Sequence, residues 1–249
     1  MKKIARFWWI PVIVIVLALA GFTAWAYTPP APMPEALAAL QSDAEVQVQS
    51  SPWLVFRPAH GEPTAGLIFY PGGRVNYRSY APTLRAIAAG GYLVVCVPMP
   101  FNLAIFGAER ATPAMAAYAS IKSWAIGGHS LGGAMAARYA YNHPGAVAGL
   151  VLWAAYPAST DNLSARDLRV VSIYGTRDGL ATAGKIDASR PLLPANTRWV
   201  AIEGGNHAQF GWYGAQPGDN PAIISRPAQT EQIVKATLEL LQQLGPPAQ

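Results

Sequence analysis

An apolar run, Trp124-Ala-Ile, leads directly into Gly127-Gly-His-Ser-Leu-Gly-Gly133, and an Ala-rich stretch of helical character follows through Tyr141. A strand that hands over to a helix across G-x-S-x-G admits few folds. The turn is so sharp that the serine backbone is strained, and only glycines fit beside it without a Cβ clash. That geometry lifts the Ser130 hydroxyl clear of the sheet, where a base and a carbonyl both reach it. Ser130 is therefore the candidate nucleophile. Gly132, Gly133, Ala134, Ala136 and Ala137 let the following helix pack close. The competing reading is a glycine-rich turn that carries its serine by accident.

Elsewhere, short apolar runs alternate with helical patterns, the signature of a mostly parallel sheet with helices on both faces. The strand candidates are Val46–Val48, Trp53–Arg57, Gly66–Tyr70, Tyr92–Val97, Trp124–Gly127, Val147–Trp153, Arg169–Tyr174 and Arg198–Ile202. Helices are expected over Tyr80–Ala89, Pro113–Ser120, Leu131–Asn142 and Thr230–Leu244. Ile233, Val234, Leu238, Leu241 and Leu244 recur at helical spacing, so the last helix packs on the sheet. Ala154–Leu168 is too short to hold a helical cap domain, which predicts an open site.

Composition narrows the partners. Of the 249 residues, 52% are apolar and only 12% charged, enough for a large core. The net charge of +5 first suggests nucleic acid, yet Lys2, Lys3 and Arg6 supply three of the 18 basic residues. The other 15 face 13 acidic residues without clustering, which argues against a nucleic-acid partner. Cys96, the single cysteine, excludes an intrachain disulfide and reads as a small buried hydrophobe.

No residue from Phe7 through Pro34 is charged. Trp8 to Tyr27 gives about 20 residues, enough to cross a bilayer as a helix. Trp8, Trp9, Trp25 and Tyr27 resemble interfacial aromatic belts, and Lys2, Lys3 and Arg6 would stay cytoplasmic, placing the rest outside. Residues 1–27 thus read as a single-pass anchor. The rival is a signal peptide cleaved after Ala24-Trp25-Ala26, with secretion as its consequence; the long run and bulky Trp25 favour the anchor. Residues 28–45 form a Pro-rich linker, in which Thr28-Pro-Pro-Ala-Pro-Met-Pro34 reads as a polyproline spacer off the membrane. Residues 46–249 then make one domain.

A serine hydroxyl needs a base, itself oriented by an acid. Of the four histidines, His60 lies in a turn, His129 is the variable residue of the elbow and should point elsewhere, and His143 closes the elbow helix. His207, on the glycine-rich loop Glu203-Gly-Gly-Asn-His207 after the last strand, remains as the base. Asp178 follows a strand and turn in Tyr174-Gly-Thr-Arg-Asp-Gly179 and is the acid; an Asx-turn role is its alternative. The backbone N–H of Leu131 and that of Gly73, after Phe69-Tyr-Pro-Gly72, are the candidate oxyanion donors, since the tetrahedral intermediate needs N–H groups aimed at its negative oxygen. With no H-E-x-x-H and scattered histidines, neither a metal nor a cofactor is expected.

Together these motifs resemble the α/β-hydrolase fold. Phe69-Tyr-Pro-Gly-Gly73, Gly128-His-Ser-Leu-Gly-Gly133, Tyr174-Gly-Thr-Arg-Asp-Gly179, Gly204-Gly-Asn-His-Ala-Gln-Phe-Gly211 and Gly214-Ala-Gln-Pro-Gly-Asp219 are similar to a bacterial group of small, membrane-attached α/β hydrolases. The resemblance runs from about Val46 to Leu244 and implies a Ser130–Asp178–His207 triad and hydrolase activity, without a substrate. The dienelactone-hydrolase relatives use cysteine where this chain has Ser130, which argues against their lactone chemistry.

Cleavage of carboxylic esters, small or lipid-derived, through an acyl-enzyme is the expected activity. An acyltransferase on the same scaffold and a membrane-tethered binding module with a vestigial triad are the alternatives. Two loops follow strand ends, where open α/β sheets bind ligands. Their Phe101, Leu103, Ile105, Phe106, Trp212 and Tyr213 are candidates for an apolar substrate pocket, with mutual packing as the alternative. Arg74 and Arg78, beside the oxyanion loop, read as solvated charges rather than an anion grip.

Overall fold

A computed structural model describes residues 9–245. Lys2, Lys3 and Arg6, on which the expected orientation of the N-terminal segment rests, lie outside the described residues.

Period-2 alternation builds the core. In the strand Ala65–Tyr70 (β3) every residue is buried. Leu67 and Phe69 enter one apolar layer, Ile68 and Tyr70 the other. A strand with two buried faces belongs mid-sheet, covered by helices on both sides. Around it stand β1 (Val46–Gln49), β2 (Leu54–Pro58), β4 (Leu93–Cys96), β5 (Ser123–His129), β6 (Gly149–Trp153), β7 (Arg169–Gly175) and β8 (Arg198–Ile202). Their order is β1-β2-β4-β3-β5-β6-β7-β8, antiparallel only at the β1/β2 and β2/β4 pairs. All eight strands were anticipated within about two residues. The fold is the mostly parallel α/β architecture expected.

Helices α3 (Ala81–Ala89) and α7 (Arg226–Leu241) cover one face, through Leu84, Ile87, Ile233 and Leu240. On the other lie α4 (Ala111–Ala116) and α5 (Leu131–Asn142), through Ala114, Ala136 and Ala137. Withdrawing a side chain such as Ile233 or Leu240 from water contributes about 1.5–3 kcal/mol. The last helix starts four residues before the expected Thr230, because Ser225 Oγ accepts the Ala228 N–H and Pro227 sits in the first turn. Residues 154–168 hold no helix; buried Asp161 ties them to α5 by accepting from Arg138 Nε at 2.6 Å. Short helices α2 (Pro34–Ala38) and α6 (Ala183–Ser189) were not anticipated.

At the N-terminus α1 (Trp9–Tyr27) is long and apolar enough to cross a membrane, with a mean hydropathy of 2.2 and almost no buried surface. The proline-rich stretch after it is not the free spacer its composition suggested. Met33 donates its N–H to Trp212 O at 2.8 Å, and Pro34 opens α2, whose Ala36 is buried. Proline's fixed φ suits a first helical turn as well as a polyproline run.

Candidate active site

β5 delivers Ser130 to the carboxyl edge of the sheet and α5 begins at the next residue. Ser130 has φ 53° and ψ −122°, a conformation that costs a non-glycine residue about 1–3 kcal/mol. Its N–H donates to Trp153 O at 2.9 Å, which locks the turn to β6. The crossing leaves no room for side chains: a Cβ on Gly132 would lie 2.1 Å from Tyr70 O, and one on Gly128 2.5 Å from Gly132 C. Leu131 opens the helix, so its N–H belongs to the first turn that intrahelical bonding leaves unpaired.

Asp178 and His207 meet at the same edge. The Asp178 carboxylate is buried, and its two oxygens do different jobs. Oδ1 accepts the N–H groups of Leu180 and Ala181, both at 2.7 Å, and Oδ2 faces His207 Nδ1 at 2.8 Å. The carboxylate fixes the proton on Nδ1 and leaves Nε2 free to accept. Nε2 is buried without a hydrogen-bond partner, and His207 borders the cavity that Ser130 also lines. Two residues that sequence reasoning did not single out for this work hold the loops together. Asp219 accepts from Gly179 N at 3.0 Å and from Ala208 N at 2.8 Å, bridging the Asp178 and His207 loops. Gln229, buried on α7, exchanges hydrogen bonds with the Asn206 backbone at 3.0 and 2.8 Å. A buried glutamine amid an apolar helical stripe is the signal that marks it.

His129 does not point away from the site, contrary to expectation. Its ring lies 4.5 Å from that of His207 and stacks on Phe210. Its Nδ1 meets the Tyr80 hydroxyl at 2.8 Å, and that hydroxyl accepts the Gly72 N–H at 3.0 Å. The Tyr80 hydroxyl thus bonds both Gly72 N–H and His129 Nδ1. A chain of contacts thus joins the Gly72-Gly73 turn, Tyr80, His129 and His207. Burial, reinforced by the neighbouring His207, holds the His129 pKa well below its ordinary value of 6.5. His129 therefore stays neutral beside the His207 ring.

An unfolded chain takes up the His129 proton before the folded one does. The resulting stability is complete above the ordinary pKa near 6.5 and drains as pH falls, by at most about 1.4 kcal/mol per pH unit. His129→Asn keeps an acceptor for Tyr80 and removes the titration. The gap in thermal stability between wild type and variant should narrow between pH 7 and pH 5; a constant gap would count against a neutral, buried His129.

Two cavities flank the elbow. The first, about 280 Å³, is lined by Ser130, Leu131, Ala134, Tyr156, Leu180 and His207 among others. None of Phe101, Leu103, Phe106, Trp212 and Tyr213 lines it; Ala134, Ala154, Ala155 and Ala181 alternate there with Leu131, Tyr156 and Leu180. Leu103 and Tyr213 instead line the second cavity, about 320 Å³, together with Gly73. Phe101 packs against rings of α1, Ile105 and Phe106 are more than half exposed, and Trp212 borders a groove against α7. Arg74 is not a solvated charge: its guanidinium donates to Trp25 O at 3.0 Å and Thr28 O at 3.1 Å. Cys96 is fully buried, and burial pushes its thiol pKa up, as a structural cysteine requires.

A parallel sheet with an acute strand–Ser–helix turn and a buried Asp–His pair at one edge defines an α/β hydrolase. Residues 66–231 match the family model described as "Alpha/beta hydrolase family", and the chain belongs to that family. No curated protein matches it. Solved structures with the same fold include the predicted CIB-like hydrolase from Thermoplasma acidophilum, at 14% identity over 80% of this chain and 99% of that one, TM-score 0.56. One of the metagenome-derived lipolytic enzymes LipS and LipT aligns at 13% identity over 74% and 96%, TM-score 0.59. A thermophilic esterase from the Planctomycetes species Thermogutta terrifontis aligns at 16% identity over 81% and 92%, TM-score 0.53.

Proposed function

We propose that the protein is a serine esterase that cleaves carboxylic esters through an acyl-enzyme, anchored by α1 with its hydrolase domain outside the cytoplasm. The observation that carries this reading is the buried Asp178–His207 pair, 2.8 Å apart, with Nε2 unpaired and His207 bordering the cavity that Ser130 also lines. Ser130 Oγ attacks the ester carbonyl while His207 Nε2 takes its proton. Asp178, already on Nδ1, stabilises the imidazolium. The carbonyl oxygen, now negative, is held by the N–H groups of Leu131 and Gly73. Gly72 is not that second donor, because its N–H is engaged by Tyr80. Collapse of the intermediate expels the alcohol, which takes the proton from His207 and leaves Ser130 acylated. Water, deprotonated by His207, then attacks the acyl carbonyl; the acid leaves and Oγ recovers its hydrogen.

The anchor reading is supported by a helix that is apolar all round yet covered by almost no protein, a combination suited to lipid. The lipolytic enzyme and the esterase among the structural neighbours are compatible with the chemistry. The direct test is labelling of the full-length protein by a fluorophosphonate probe, followed by peptide mapping. Stoichiometric adduct on the peptide carrying Ser130 is expected; adduct elsewhere, or none, removes the serine-esterase reading.

A further inference from the structure

The end of α1 is gripped by the loops that border the elbow. A helix leaves its last carbonyls without intrahelical partners, and those carbonyls attract cations. Here Arg74 takes Trp25 O and Thr28 O, with its guanidinium 4.3 Å over the Trp25 ring, and Asn102 Nδ2 takes Ala26 O at 2.9 Å. Arg74, Phe101 and Asn102 all have positive φ, between 52° and 55°, and Arg74 N–H donates to Asn102 O at 2.8 Å. Non-glycine residues keep such conformations only where their surroundings over-determine them, and these cluster at functional sites. Phe101 also meets the rings of Phe22 and Tyr27 on α1 and that of Phe106, each at 5.5–5.6 Å. Ile105 and Phe106 are 60% and 55% exposed, so the loop tip continues the apolar surface of the helix.

The second cavity opens between this grip and the elbow. Trp25, Pro30, Val75, Leu103 and Tyr213 make its wall mostly apolar, with Gln216 the polar exception, and its one cation, Arg74, is already engaged with carbonyl oxygens. A Cβ on Gly73 would stand 3.2 Å from a methyl of Leu131 and 3.6 Å from one of Leu103. Gly73 lines the second cavity and Leu131 the first, so the two chambers lie on either side of the proposed oxyanion donors.

We propose that the chamber on the Gly73 side is the acyl-chain subsite, and that the substrate is a long-chain fatty ester drawn from the bilayer alongside α1. The inference rests on the serine-esterase reading and on α1 as the membrane span. At about 320 Å³ the chamber sits at the small end of ligand pockets, roughly 300–1,000 Å³. It takes the carbons nearest the carbonyl, and the rest of the chain passes out beside Trp25 and Phe101 toward lipid. Immersing the Ile105–Phe106 tip beside α1 is the posture of an interfacial apolar segment.

The test uses full-length protein in phosphatidylcholine vesicles and the ratio of kcat/KM for p-nitrophenyl palmitate carried in the vesicles to that for p-nitrophenyl acetate. The two esters differ only in the acyl chain. Leu103→Trp fills the chamber from the side of the loop, and Ala215→Phe fills it from an exposed loop where folding is not at stake. Each is expected to lower the ratio at least tenfold, and the pair Ile105→Asn with Phe106→Asn at least fivefold. A ratio unmoved by Ala215→Phe and Leu103→Trp overturns the subsite, and one unmoved by the loop-tip pair overturns uptake from the bilayer. In either case a wild type that still hydrolyses the acetate through Ser130 leaves the esterase reading standing. A wild type inert on both esters, and unlabelled by the fluorophosphonate, removes both.

Discussion

Exchanging Ser130 for alanine should lower ester hydrolysis by at least about 10⁴-fold, because residual catalysis without the nucleophile comes from the oxyanion donors and binding alone. The backbone reason for trusting this variant is local. Ser130 is held by its N–H on Trp153 O and by its own carbonyl, which accepts from Ala134 N at 3.0 Å; neither bond involves Oγ. Alanine also has the same Cβ, so the elbow keeps its shape. Glycine separates function from strain. At φ 53° and ψ −122° it relieves a Cβ conflict that serine and alanine share. Ser130→Gly should therefore be as inactive as Ser130→Ala yet more stable by about 1 kcal/mol. Initial rates on p-nitrophenyl esters and thermal unfolding of the three proteins check both halves. Full activity in either variant would place the nucleophile elsewhere.

What could be read in the sequence, and what could not, divides by range. Strands such as β3 and β5 are legible because an apolar run between turn residues leaves few other local structures, and the elbow is legible because its glycines, serine and helix are contiguous. Asp178 and His207 are each marked locally by a strand end and a glycine-bearing turn. Their approach to 2.8 Å is a consequence of β7 and β8 lying side by side in parallel register.

Contacts between distant segments left no such trace. Arg74 reaches Trp25 across 49 positions and Tyr80 reaches His129 across 49 more, and nothing in either neighbourhood advertises the partner. Positive φ at Arg74 and Phe101 runs against residue preference, so the sequence does not mark it. The walls beside Ser130 escaped notice for another reason: alanines leave space instead of filling it. Of the aromatic residues expected at the pocket, Tyr213 lines the second cavity and none lines the first. The Pro-rich stretch shows how one dihedral preference serves two structures, a spacer and the start of a docked helix.

Asp178→Asn is the second large effect, and its logic lies in the two carboxylate oxygens. Oδ1 is committed to the N–H groups of Leu180 and Ala181, so the asparagine oxygen takes that place and its NH₂ is turned toward His207 Nδ1. Two N–H groups cannot face each other. The imidazole must then offer Nδ1 as acceptor and carry its proton on Nε2, the nitrogen that receives the Ser130 hydrogen in the proposed mechanism. The expected result is a loss of about 10⁴-fold in kcat with KM nearly unchanged. Stability should barely move, because the turn keeps its acceptor. Asp178→Ala strips that acceptor from two backbone donors and should cost about 1–3 kcal/mol besides the rate. If Asp178→Asn retained the full rate while Asp178→Ala lost only stability, Asp178 would be a turn residue and nothing more, and the orientation of His207 would have to come from the His129 and Tyr80 side of the ring.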